Sequence, residues 1–148
     1  MKIEPMKLSD YSDVYSLWIN TLGMGLNTVD DSKAGIYKYL KRNPKTCFVV
    51  KEKKKVIGVI LSGHDGRRGY IYHTAVDIHF RNQGIGKALV NKAIDALRKE
   101  GISKVAFVVF NRNETGNTFW EHLGFTTRED LIYRNKTISD IELERIDT

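Results

Sequence analysis

Residues 74–90 read TAVDIHFRNQGIGKALV. The opening residues close a stretch, Gly69–Ile78, rich in β-branched and aromatic side chains, which predicts a strand. The closing residues begin an amphipathic helix to Glu100, with Ile85, Leu89, Ala93 and Leu97 on one face and Gly101 as its stop. Lys104–Phe110, KVAFVVF, follows as a near-continuous apolar run, the pattern of a strand covered on both faces. The result is a strand–helix–strand unit. Gly84 and Gly86 fall at the strand-to-helix turn, where the first helical N–H groups lack partners and the helix dipole is positive. Glycine lets a phosphate approach those amides closely, and Arg81 and Lys87 add positive charge. Leu89 stands where a dinucleotide fingerprint needs its third glycine, and the Gly-Lys-Ser/Thr of a Walker A loop is absent. From the glycines alone, a turn that serves only tight packing is equally open.

Upstream, Lys2–Glu4 predicts a short strand. Ser9 predicts the cap of a helix carrying Tyr11, Val14, Trp18 and Leu22 at helical spacing. Gly23–Asp31 reads as a polar, glycine-rich loop, and Ser32–Arg42 as a helix that stops before Asn43-Pro44. Thr46–Val50 and Val56–Leu61 predict a hairpin, so the basic cluster Lys51–Lys55 is mainly its solvated turn. Downstream, a helix over Glu114–Leu123 ends at Gly124, and two final strands are expected within Phe125–Ile138. The architecture is α/β (α+β).

At 148 residues the chain holds one domain with a real core. We place that domain at 1–138, followed by an acidic tail at 139–148. The tail carries four acids and one arginine, a net −3 against +6 for the whole chain, so residues 1–138 carry +9. Such a charge suits a phosphate-bearing partner without choosing between nucleic acid and a small molecule. The single cysteine, Cys47, rules out an internal disulfide framework and a multi-cysteine metal site, and no metal is implied. No apolar run reaches the roughly 20 residues that span a bilayer, and the first residues lack a signal-peptide core. The expected location is cytoplasmic, with no membrane partner.

The segment 74–90 resembles the acetyl-CoA-binding motif of the GNAT superfamily of N-acetyltransferases. Arg81, Gly84 and Gly86 match its Gln/Arg-x-x-Gly-x-Gly/Ala core, and Ala75-Val76 matches the pair ending the preceding strand. Asn113, then Phe119-Trp120-Glu121-His122-Leu123-Gly124-Phe125, resembles a second signature of the family, Asn…Leu-Tyr-Glu-Lys-Leu-Gly-Phe. The likeness spans about residues 2–138. It implies a mixed, mostly antiparallel central sheet of six to seven strands flanked by about four helices. It also implies acetyl-CoA as co-substrate, an amine-bearing acceptor, and direct attack in a ternary complex. Val76 and Ile78 would contact the pantetheine arm. The amides of Arg81, Asn82, Gln83, Gly84, Ile85, Gly86 and Lys87 would cradle the pyrophosphate. Asn113 would lie beside the thiol-bearing arm, cap its helix, or do both. A homodimer is common among such proteins, and the sequence does not establish one.

Amide formation from a thioester requires the reactants to be held together, the oxyanion stabilised and two protons managed. Many family members protonate the departing thiolate with a tyrosine, whose place here is taken by Trp120. An indole N–H donates a hydrogen bond but gives up no proton near neutral pH. Three repairs stay open: Tyr133 from an expected final strand, water, or a thiolate that leaves unprotonated. For the base, Tyr72 and His73 are the candidates, and strand alternation predicts that they face opposite ways. His73 is the candidate favoured by residue type, since histidine is the usual acid–base side chain near neutral pH, with a water chain as the alternative. The loop at Gly23–Asp31 and the following helix would line the acceptor site, offering Trp18, Tyr37 and Tyr39 as walls and Asp30 and Asp31 as ammonium partners.

Two rival classes compete with the enzyme. Trp120 suggests a non-catalytic CoA-binding or sensing domain. The basic charge permits a nucleic-acid-binding domain. No helix-turn-helix, zinc or RNA-recognition signature accompanies that charge, so no nucleic acid is expected.

Overall fold

The computed structural model describes all of residues 1–148. Strand β1 (Lys2–Pro5) is followed by a single 3-10 turn at Leu8–Asp10 and by helix α1 (Tyr11–Ile19). The expected Ser9 cap is not used. Asp10 instead accepts from the Lys7 amide at 2.9 Å, and its other oxygen meets Lys51 at 2.9 Å. Leu22 lies beyond the end of α1 and is exposed. A short strand β2 (Gly25–Asn27) precedes helix α2 (Lys33–Arg42), which Ser32 caps by accepting from the Gly35 amide.

The predicted hairpin forms as β3 (Phe48–Glu52) and β4 (Lys55–His64), joined by Lys53 and Lys54 at φ 50° and 68°. Both central residues at positive φ make this a two-residue turn of the type that matches strand twist. Strand β5 (Gly69–Val76) completes an antiparallel run with β4, and helix α3 (Ile85–Lys99) crosses back to β6 (Val105–Ala106), which pairs parallel to β5. Helix α4 (Glu114–His122) and strand β7 (Arg145–Asp147) end the chain.

The sheet order is β1-β3-β4-β5-β6, with β2 and β7 forming a separate antiparallel pair. The main sheet therefore has five strands, fewer than the six to seven expected, and is mixed and mostly antiparallel, flanked by four helices. The two strands expected within Phe125–Ile138 are not formed, and Ile132 and Ile138 are exposed. The acidic end is tied to the rest of the chain. Beyond the β2–β7 pairing, the Thr148 amide bonds to the Met24 carbonyl at 2.9 Å and its hydroxyl accepts from the Met24 amide at 2.9 Å.

Two apolar layers sandwich the sheet. On one face Val14, Trp18, Ile36 and Leu40 of α1 and α2 pack on Val49, Val59, Leu61 and Ala75. On the other, Ile85, Leu89, Val90 and Ala93 of α3 pack on Val50, Ile57, Ile60 and Ile71. The helical spacing of the α3 residues thus buries the face foreseen from the sequence, each large side chain contributing about 1.5–3 kcal/mol. No helix is long and apolar enough to cross a membrane.

Candidate functional site

The site opens where β5 and β6 part. Their pairing covers only Gly69 with Val105 and Tyr70 with Ala106. From Phe107 to Phe110 the chain leaves the sheet, so the strand predicted over Lys104–Phe110 is regular only where β5 meets it. A wedge between two parallel segments leaves backbone groups free to pair with an extended ligand. The wedge forms part of one open cleft of about 2430 Å³. That exceeds the roughly 300–1,000 Å³ of a single small-molecule pocket.

At one end of the cleft stands the N-terminus of α3. Gly84 occupies its cap position at φ 80°, where no side chain is present to satisfy the first amides. The left-handed conformation turns the chain sharply out of the residues before it, and glycine adopts it without strain. Arg81, Asn82, Gly84, Ile85, Gly86 and Lys87 all line the cleft. Arg81 is braced by donation from its Nε to the Val76 carbonyl at 3.0 Å. A Cβ on Gly86 would lie 2.9 Å from the Phe119 ring, so that ring of α4 packs directly on the α3 backbone. This cradle fits the diphosphate of a nucleotide-bearing acyl carrier in charge and in exposed donors.

Two expected residues fall outside the cleft. Strand β5 ends at Val76, and Asp77 caps a 3-10 turn at Ile78–Phe80 by accepting from the His79 amide. Ile78 therefore leaves the strand and stands 69% exposed, away from the cleft wall. Gln83 faces a smaller hollow beside Met1, Ile3 and Val50. Val76 does line the wedge.

Asn113 caps α4, its side-chain oxygen accepting from the Gly116 amide at 2.9 Å. It also lies against the loop before β2: a Cβ on Gly23 would sit 2.5 Å from its amide nitrogen. Trp120 lines the cleft from within an aromatic cluster, with ring centroids 4.2 Å from Phe107, 5.0 Å from Phe119 and 5.2 Å from Phe125. Its indole thereby ties α4 to the segment after β6.

The other end of the cleft is built around a bulge. Val59 pairs with Ala75 and Leu61 with Tyr72, so Ile60 alone opposes His73 and Thr74. His73 takes φ 44°, a conformation uncommon for a residue with a side chain. The bulge resets the alternation: Ile71 packs on α3, whereas Ala75, an even number of residues later, packs on α1 and α2. Tyr72 and His73 consequently come to the same side, ring centroids 5.9 Å apart, contrary to the opposite faces expected.

His73 is held from several directions. Trp18 sets its ring edge-on at 5.0 Å and donates from its indole to the His73 carbonyl at 2.9 Å. His73 Nε2 meets Asp31 Oδ1 at 2.7 Å, both side chains being largely buried. Around this pair stand Tyr39, Tyr70 and Tyr72, with Tyr70–Tyr72 centroids at 4.7 Å and Tyr39–Tyr72 at 5.7 Å. Burial, with the neighbouring Tyr72 and Tyr133 as smaller causes, pushes the Tyr70 phenol up to about 12. Burial also raises Tyr39 and Tyr72, so all three stay neutral. Tyr133 lines the same cleft and is 66% exposed, on an irregular segment rather than a strand.

The sequence did not single out Thr74, whose buried hydroxyl lacks a partner at the wedge, or the pairing of Asp31 with His73. Both follow from the bulge, which leaves no periodic signature.

Known proteins resemble this chain in sequence and in fold. The profile of the acetyltransferase (GNAT) family matches residues 11–125. An acetyltransferase of Photorhabdus laumondii is 29% identical over 146 residues, covering 96% of this chain and 99% of that protein. An acetyltransferase of Yersinia enterocolitica is 26% identical over 142 residues, covering 96% and 99%. Among solved structures, Ard1 from Thermoplasma volcanium superposes with a TM-score of 0.74 at 24% identity, over 84% of this chain and 82% of that one. The PaiA N-acetyltransferase of Thermoplasma acidophilum, solved with coenzyme A, gives 0.74 at 14% identity over 86% and 91%. At these identities the two structures show the shared fold.

Proposed function

This chain belongs to the acetyltransferase (GNAT) family, and on that premise we propose that it moves the acetyl group of acetyl-CoA to a primary amine by direct attack in a ternary complex. The observation that carries the reading is the single cleft joining the amide cradle of α3, the β5–β6 wedge and His73.

Acetyl-CoA supplies the thioester acyl group. The amides from Gly84 to Lys87, with Arg81, hold its diphosphate. The free edge of β5 near Val76, with the Thr74 hydroxyl, aligns its arm, and Asn113 borders the thiol end. At neutral pH an alkyl amine is mostly ammonium, its ordinary pKa being about 10.4, so its proton must leave before attack. His73 accepts that proton. The nitrogen–carbon bond then forms, the carbon–sulfur bond breaks, the nitrogen gives its second proton to water, and the sulfur takes a proton from the Tyr133 phenol. The exposure of Tyr133 lets water resupply that proton directly. Trp120, where a tyrosine is common in the family, serves as packing for α4 in this account.

The test is a panel of primary amines presented with acetyl-CoA, read by release of free thiol. At least one amine, and no alcohol of the same shape, should drive release. His73→Gln should lower kcat by on the order of 10² while acetyl-CoA affinity holds, in the range usual for a lost general base. Tyr133→Phe should likewise act on kcat alone. Thiol release by no amine, with a folded protein that binds acetyl-CoA, would overturn the reading in favour of a binding domain.

A further inference from the structure

The assignment of His73 as base leaves open what makes its free nitrogen available to the acceptor. We propose that Asp31 is a positioning residue that fixes the His73 ring in the tautomer with hydrogen on Nε2, leaving the Nδ1 lone pair to face the acceptor cleft. The inference rests on the reading of His73 above and goes beyond it, because Asp31 lies on another element and has no direct part in the proton transfer.

An ionised carboxylate has only acceptor capacity. With Asp31 Oδ1 at 2.7 Å from His73 Nε2, a neutral imidazole must place its hydrogen on Nε2, and Nδ1 is then a lone pair. Nδ1 has no hydrogen-bond partner in the protein, and it is not one of the buried polar atoms sealed away without a partner. His73 lines the cleft with Tyr72 and Tyr39.

Asp31 is itself fixed. Its Oδ2 accepts from the Asn27 amide at 2.8 Å, and its carbonyl accepts from the Tyr11 hydroxyl at 2.7 Å. The groups that face His73 are therefore Asp31 from the loop before α2, Trp18 from α1 and Tyr72 from its own strand, with Asp30 near Tyr72. Asp31 is the one carboxylate bonded to the ring. A tether between loop and strand needs no left-handed backbone. Here His73 sits at φ 44° with its carbonyl pinned by Trp18, an arrangement that turns the ring towards Asp31 and the cleft together.

Asp31→Asn separates orientation from anchoring. Its carbonyl oxygen can still accept from the Asn27 amide, while its NH₂ group faces His73 and drives the ring to accept at Nε2. The hydrogen then moves to Nδ1, and the lone pair is withdrawn from the cleft.

The experiment is a long-range ¹H–¹⁵N correlation spectrum of the histidine-labelled protein, with His73 assigned through His73→Gln. Wild type should show neutral His73 protonated at Nε2, and Asp31→Asn should show it protonated at Nδ1. With the amine found by the panel above, Asp31→Asn should lower kcat at least tenfold, hold the KM for acetyl-CoA within twofold, and be partly rescued in Asp31→Glu. A wild-type ring protonated at Nδ1 would overturn the proposal. So would an Asp31→Asn protein that loses thermal stability yet keeps wild-type kcat. If Asp31→Asn fails to fold, the wild-type tautomer and the kcat of Asp31→Glu still decide. The spectrum needs no turnover, so an amine panel that yields no product counts against the base assignment and leaves the tautomer result standing separately.

Discussion

Replacing Gly84 by alanine isolates the conformational cost of the amide cradle. Gly84 sits at φ 80°, and a Cβ built there meets nothing within 4 Å. Steric contact therefore adds nothing, and the whole effect comes from holding an L-residue in the left-handed region, about 1–2 kcal/mol. That strain must appear in one of two places. If the turn holds its shape, the folded protein loses about 1–2 kcal/mol of stability and keeps its acetyl-CoA affinity. If the turn relaxes, stability is retained but the amides of Ile85–Lys87 no longer converge, and binding weakens by roughly tenfold for each 1.4 kcal/mol. Gly84→Asn should show a smaller loss than Gly84→Ala, since asparagine tolerates this region better. Urea denaturation and calorimetric titration of acetyl-CoA on the same samples read both quantities. An alanine variant unchanged in stability and in affinity would refute the left-handed turn and the cradle derived from it.

Two further predictions concern the body of the fold. Lys53 and Lys54 both occupy positive φ in the β3–β4 turn, so Lys53→Asn with Lys54→Gly should stabilise the protein by about 1–2 kcal/mol; a destabilised double variant in urea denaturation would contradict that turn. Burial pushes the Cys47 thiol up to about 12, partly offset by a hydrogen bond with the Ser62 backbone. An unfolded thiol ionises from about pH 8.5, so unfolding releases a proton across the window between the two values, and stability falls there as pH rises. Cys47→Ala should flatten that fall, and a thiol reagent at pH 8 should leave native Cys47 unmodified; prompt labelling of the folded protein would count against its burial.

The local features of the fold were legible because each is written in neighbouring residues. The helical spacing of Ile85, Leu89, Ala93 and Leu97, the glycines at 84 and 86, and the hairpin around Lys53-Lys54 all announce themselves within one element. The surroundings of His73 were not legible, because they depend on a register shift between β4 and β5. One extra residue opposite Ile60 turns His73 to the side of Tyr72 and Trp18, and alternation read from the sequence gives the opposite answer. The pairing of Asp31 with His73 joins residues 42 apart, which no periodicity reveals. The end of the chain misled for a related reason. Apolar residues such as Ile132 and Tyr133 look strand-forming, yet strands need partners, and the pairing formed is the distant one between β2 and Arg145–Asp147.

The central claim is that the cleft between α3, β5 and α4 binds acetyl-CoA, and calorimetric titration of wild type against Gly86→Trp tests it most directly. A Cβ built on Gly86 would lie 2.9 Å from the Phe119 ring, so an indole there has no room towards α4 and must occupy the cleft or displace that ring. Wild type should bind acetyl-CoA with a sub-millimolar Kd, and binding should be abolished in a Gly86→Trp protein whose circular dichroism shows it folded. A folded wild type that binds no acetyl-CoA, or a folded variant that binds it equally well, would contradict the account.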